Sequence, residues 1–270
     1  MTETQYGPLM AEMTWEEVRD AADDGYGVLV PVGSTEQHGP HLPLATDVLL
    51  PLALAKGVVV RARVVIAPPI AYGYQSKPLS GGSQGFPGTT SVRGNTLISL
   101  LRDVVGELIR SGFKKIVITN WHYENVGFIY EGADLAMRDA NDPSVRVISI
   151  ENPLAMIDQD AVAALFPGEF PGYDVEHAAI IETSMMLALY PDLVRTDRIV
   201  DDQAKRHPPY DMLPAPSDTI PASGVLYKAT LASVEKGRQL YEMLVESIAS
   251  AINSELVGGE ERAPSVESAP

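Results

Sequence analysis

The chain has 270 residues, 45 % of them hydrophobic, enough apolar material for the core of one large α/β domain. A formal net charge of −16 argues against a nucleic-acid backbone or an anionic membrane as partner, because both demand clustered Lys and Arg. Cysteine is absent, which excludes disulfides, thiolate metal sites and a cysteine nucleophile, and leaves nitrogen and oxygen as the only ligands for a metal.

The first residues, MTETQYGPLMAEMTW, show no basic stretch followed by an apolar one, and no apolar run approaches the length of a membrane span, so a cytoplasmic protein is expected. Thr14, Trp15, Glu16 and Glu17 have the capping-box pattern and predict a first helix starting there. VLVPVG (28–33) reads as a strand, residues 48–61 as a helix and VVIAPPI (64–70) as extended. Asn95 is the expected cap of a strongly periodic helix through LISLLRDVVGELIRSG. IVITN (116–120) follows as a second buried strand, FIYEGADLAMRDA (128–140) as a helix and VRVISI (145–150) as a third strand. This alternation predicts a mainly parallel sheet covered on both faces.

Two segments lack periodicity. Residues 72–92, rich in Gly, Ser and Pro, form a loop of a length that is more often functional than idle. The Pro-rich residues 207–224 read as a surface excursion or an oligomer contact ahead of a last helix from about Leu231 to Leu256. A single domain over 1–256 is expected, and the tail 257–270 has the composition of disorder.

The chemistry concentrates at two strand ends. Residues 31–47 read PVGSTEQHGPHLPLATD and residues 120–125 read NWHYEN, which supplies Glu36, His38 and Asp47 against His122 and Glu124. If the two preceding strands are parallel neighbours, both motifs emerge at the carboxyl edge of the sheet, where open α/β folds bind ligands. Residues two apart in extended chain project to one side, so Glu36 pairs with His38 and His122 with Glu124. Mixed imidazole and carboxylate ligation suits Zn²⁺ or Mn²⁺, and the two oxygens of Asp47 can bridge a pair of ions. Two ions about 3.5–4 Å apart lower the pKa of a shared water and polarise a carbonyl, which points to hydrolysis. His177, ahead of an apolar helix, is either a proton carrier or a helix-start histidine with a local hydrogen bond. Glu176 and Glu182 either orient it or are first-turn acids, and His41 and His207 read as loop residues.

These residues resemble the creatininase (creatinine amidohydrolase) family from about Met13 to the last helix, and its creatinine-hydrolysing branch in particular. The motifs that carry the likeness are EQHG with a downstream Asp, HYEN, SGG and FPGTTS within 80–91, EGADLAMR at 131–138, DVEH and ETS within 174–184, and PPYD at 208–211. The resemblance implies a three-layer α/β/α sandwich, a homohexamer and two divalent ions, with Glu36 and His122 on one, His38 and Glu124 on the other and Asp47 bridging. It implies that Glu124 and His177 act in catalysis and that Ser80, Tyr123 and Asp174 contact substrate. The chain departs from the family in three places. SIENPLAMI, after the third strand, has no aromatic residue where creatininases carry a loop Trp; Tyr173 replaces a second pocket Trp; and Trp121 stands where the family has Gly. These changes bear on the substrate pocket rather than on the metals.

The expected reaction is therefore the opening of a small cyclic amide, most simply creatinine and water to creatine. The same centre could instead act on an oxidised inositol such as 3-dehydro-scyllo-inosose, on a formamide or on a small peptide. Glu151 and Asn152 would suit a polyol, whereas a phosphate would find only Lys77 in the 72–92 loop. A non-catalytic relative of the fold would have lost ligands, and all five are present.

Overall fold

The computed structural model describes residues 8–257 except 82, 169 and 171, and the side chains of 83, 174 and 257 also fall outside that description. The tail expected to be disordered thus lies almost wholly outside the described residues. Helix α1 (Trp15–Asp23) opens with the capping box read from the sequence: the Glu17 amide donates to the Thr14 hydroxyl and the Thr14 amide donates to the Glu17 carboxylate. The central sheet holds β1 (Gly27–Val32), β2 (Val64–Ile66), β3 (Lys115–Asn120) and β4 (Arg146–Ile150), all parallel in the order β2-β1-β3-β4. The chain leaves β1 toward β2 on one side, while β3 pairs with β1 on the other. The reversal point therefore falls between β1 and β3, whose last residues Val32 and Asn120 are register partners.

Strand alternation divides the interior into two cores. Leu29, Val64, Ile66, Val117 and Ile150 face one cluster with α2 (Thr46–Val58), α7 (Ile180–Leu189) and α8 (Val234–Ile252). Val28, Val30, Val32, Val65, Ile116 and Ile118 face the other, with α1, α4 (Gly94–Arg110) and α5 (Val126–Ala140). Short helix α3 (Pro78–Gly81) sits in a loop, and α6 (Gln159–Leu165) packs Val162 into the first of these cores. The result is a three-layer α/β/α sandwich. Each fully buried Val, Leu or Ile in it contributes about 1.5–3 kcal/mol.

The helix boundaries correct two expectations. Asn95 is not a cap: α4 already begins at Gly94, preceded by Arg93 with no side-chain cap, and the ring of Phe128 packs where a β-carbon on Gly94 would stand. The last helix begins at Val234 rather than at Leu231, and beyond Ile252 it continues as a π-type turn, Asn253–Val257, that includes the expected end at Leu256. No described helix is long and apolar enough to cross a membrane.

Candidate metal centre

Both sequence motifs emerge at the carboxyl edge of the β1/β3 pair. After β1 the chain runs through Glu36 and His38 and enters α2, whose first turn carries Asp47. After β3, the amide of Trp121 donates to the carbonyl of Val32 at 3.0 Å and extends the ladder by one bond, which fixes His122 beside the end of β1. Tyr123–Asn125 then form a 3-10 turn rather than the extended chain expected for His122 and Glu124. Asn125, fully buried, ties the loops together: its Nδ2 donates to the Gly33 carbonyl at 3.0 Å, and its Oδ1 accepts from the Tyr74 amide at 2.8 Å.

The histidines are oriented alike. His38 Nδ1 lies 3.1 Å from the Glu36 carbonyl, His122 Nε2 2.8 Å from the Tyr74 carbonyl and His177 Nε2 2.8 Å from the Gln37 carbonyl. A carbonyl only accepts, so in His38 and His122 that nitrogen carries the proton and the other is left for the centre, whereas His177 Nε2 also lies 2.9 Å from the Gln37 side-chain amide nitrogen. His38 Nε2 accordingly lies 3.1 Å from Asp47 Oδ1 and 3.6 Å from Glu182 Oε2. His122 Nδ1 lies 3.2 Å from both Glu36 Oε1 and Asp47 Oδ2, and His177 Nδ1 is 3.5 Å from Glu36 Oε1. Metal-binding imidazoles are held in this way, one nitrogen on a main-chain carbonyl and one on the ion.

Three donor sets converge here: Glu36, Asp47 and His122; His38, Asp47 and Glu182; and Glu36, His38 and His177. All of these side chains are buried, and Asp47 Oδ2 has no hydrogen-bond partner, an expensive arrangement for carboxylates unless cations neutralise them. The nitrogen and oxygen donors fit divalent zinc or manganese.

The electrostatics agree. Burial alone would lower the His38 pKa, but Asp47 and Glu182 raise it well above the usual value; Glu36 and Asp47 do the same for His122. Burial would raise the Asp47 carboxyl, yet His38 and His122 hold it below the normal range. Glu36 moves the other way, raised by burial despite His122 and His177.

The remaining expected residues fall around this cluster. Glu124 belongs to none of the three donor sets: its Oε1 accepts from the Ser80 hydroxyl and the Lys77 amide, and its Oε2 is 3.6 Å from His122 Nε2. The Ser76 hydroxyl donates to Glu36, so the 72–92 loop touches both carboxylates. A cavity of about 400 Å³ opens above and is lined by Ser80, Trp121, Tyr123, Tyr173 and Glu182, together with Lys77, Glu151, Asn152, His207 and Asp211. His177 lies below it, its ring 4.4 Å from that of His38. Asp174 falls in the Tyr173–Val175 turn, with its side chain outside the described ones.

Three features lie nearer the centre than their local sequence shows. Glu182, a first-turn acid of α7, also accepts from the Trp121 indole and the Ala178 amide, and no local signal in the sequence marks it. His41 lies in a loop, as expected, but is fully buried there, with Nε2 2.9 Å from the Thr183 hydroxyl. The 207–224 excursion folds back over the site, where Lys77 Nζ pairs with Asp211 at 2.9 Å and His207 reaches the cavity.

A buried imidazole and carboxylate cluster at the switch point of a parallel sheet, beneath an open cavity, defines a metal-dependent hydrolase. The creatinine amidohydrolase family model matches residues 11–252, and the chain belongs to the creatininase family. It is 43 % identical to creatinine amidohydrolase of Pseudomonas putida over 92 % of this chain and 96 % of that protein. It is 32 % identical to a mycofactocin precursor peptide peptidase of Mycolicibacterium smegmatis, over 83 % of each chain. More distant, at 26 % over 89 % of this chain and 81 % of the other, is a 3-dehydro-scyllo-inosose hydrolase of Thermotoga maritima. A mutant creatininase complexed with creatine superposes with a TM-score of 0.88 at 41 % identity, over 93 % of this chain and 99 % of that one. A manganese creatininase and a zinc–zinc form match with TM-scores of 0.88 and 0.89.

Proposed function

We propose that the protein opens a small cyclic amide, with creatinine and water giving creatine. The observation that carries this reading is the pair of buried donor sets joined at Asp47 beneath the cavity. Glu36, Asp47 and His122 would hold one divalent ion, zinc or manganese, and His38, Asp47 and Glu182 a second. Bound there, the ions supply a polarised carbonyl and a water of lowered pKa. In the reaction the amide C–N bond breaks, the carbonyl carbon gains oxygen from water and the ring nitrogen gains a proton.

The chain's own groups move the protons and hold the ring. Glu124 is kept in place at Oε1 by Ser80 and Lys77, which leaves Oε2 to take the proton of the attacking water. His177, its Nε2 beside the Gln37 carbonyl, presents Nδ1 toward Glu36, where it would receive that proton and pass it to the departing nitrogen. Trp121, Tyr123 and Tyr173 wall the ring, and Asp174 takes the guanidine-like end. By family likeness the protein assembles as a homohexamer, which light scattering would check.

Incubating zinc- or manganese-loaded protein with creatinine and following ring opening by NMR, with His122→Ala as the blank, tests the proposal. Turnover lost in the variant supports it. Glu151 and Asn152 on the cavity wall favour a second reading, an oxidised cyclic polyol. Turnover of 3-dehydro-scyllo-inosose without turnover of creatinine would select it.

A further inference from the structure

Trp121 belongs at once to the cavity wall and to the side-chain hydrogen bonding of a donor-set carboxylate. Its main chain is fixed by the sheet through the bond to Val32, and its ring packs, partly buried, against the core on the α2, α7 and α8 side. Its indole Nε1 donates to Glu182 Oε1 at 2.9 Å. The other carboxylate oxygen, Oε2, accepts from the Ala178 amide at 2.7 Å and is the oxygen 3.6 Å from His38 Nε2. Glu182 is thus held by two donors, one of them a main-chain amide and the other this indole.

We infer that Trp121 is a positioning residue for Glu182, so that the aromatic wall met by the substrate and the hold on one metal ion reside in a single side chain. The inference rests on the two-ion reading above. An indole N–H can only donate, so its bond persists only while Glu182 presents an accepting oxygen, which is the state a ligand requires. Adjacent residues consequently serve both donor sets: His122 enters one directly, and Trp121 supports the other through Glu182. A flat ring stacked on the indole would press on the residue that orients this ligand. Partners of metal ligands typically cost about 10–100-fold in metal affinity when removed.

Trp121→Phe keeps an aromatic wall and deletes the donor. Isothermal titration of metal-free protein with zinc should show two ions per chain, and in Trp121→Phe one of them should bind about 10–100-fold more weakly while the other is unchanged. A residue that served only as a wall would leave both affinities alone, so two ions bound within about threefold of the parent in Trp121→Phe overturn the inference and spare the two-ion reading. A single ion in the parent overturns both. Should Trp121→Phe fail to fold, Trp15→Phe provides a second readout, because it leaves Trp121 as the sole tryptophan of the chain. Trp121 emission should then shift as zinc fills the centre, and constant emission through both equivalents overturns the inference.

Discussion

Gly33 lies so close to the main-chain carbonyl of Asp47 that a β-carbon on it would collide with that carbonyl. Its φ is not positive, so close approach rather than backbone conformation is what requires glycine. The contact sets the first turn of α2 against the end of β1 and thereby aims the shared carboxylate. Gly33→Ala should cost about 1–3 kcal/mol of stability through overpacking. It should also weaken metal binding, because Asp47 moves with the helix start. Thermal denaturation and zinc titration of the variant check both; unchanged metal affinity would show that the helix start does not set the carboxylate.

Glu182 and Glu124 should separate in their effects. Glu182→Gln should retain one ion per chain after dialysis, since its oxygen belongs to the His38 and Asp47 set. Glu124→Gln should retain both ions and lose about 10²–10⁴-fold in kcat, the usual size of a general acid or base contribution. Elemental analysis beside steady-state kinetics reads the difference. An ion missing from Glu124→Gln would return Glu124 to the ligands, as the sequence pattern had it.

The placement of Glu182 and Glu124 shows what a sequence can and cannot reveal here. VLVPVG and IVITN are apolar runs with little alternation, and such runs signal a strand buried on both faces, so the β1/β3 pair and the edge that carries the site were legible. The ExH spacing likewise exposed Glu36, His38 and His122. Glu182 was not legible in that way, because a Glu in the first turn of a helix is ordinarily explained by the helix dipole, and only the fold brings α7 to within reach of His38. Glu124 was read as extended, but the 3-10 turn at Tyr123–Asn125 swings it toward Ser80. The Pro-rich 207–224 segment has no periodicity to reveal its destination, and its return over the cavity depends on contacts such as Lys77 with Asp211.

Asn125 should matter more for the shape of the site than for its chemistry. Asn125→Ala would leave the Tyr74 amide and the Gly33 carbonyl without their side-chain partner, at about 1–3 kcal/mol for each group left unsatisfied. Tyr74 also supplies the carbonyl that fixes His122, so the loss should spread to that ligand. Hydrogen exchange should show faster labelling over 72–92 in the variant, and protection equal to the parent would refute the role assigned to Asn125.

His41 supplies a pH signature separate from the metals. Burial, with some repulsion from His38, lowers its pKa from 6.5 to about 4, and its Nδ1 has no hydrogen-bond partner to hold a proton. The unfolded chain therefore takes up this proton first as pH falls. Above about 6.5 the residue is neutral in both states and its contribution to stability is intact. Between there and about 4 the unfolded state binds more protons, so stability declines, by about 3 kcal/mol in total at 1.36 kcal/mol per pKa unit. His38 and His122, with raised values, carry the opposite slope in metal-free protein, so the comparison must be made between variants. His41→Gln, which can still bond Thr183, should destabilise the metal-free protein less at pH 4.5 than at pH 7.5, the gap narrowing by about 2–3 kcal/mol in urea unfolding. A gap independent of pH would mean that His41 charges as readily in the folded chain as in the unfolded one.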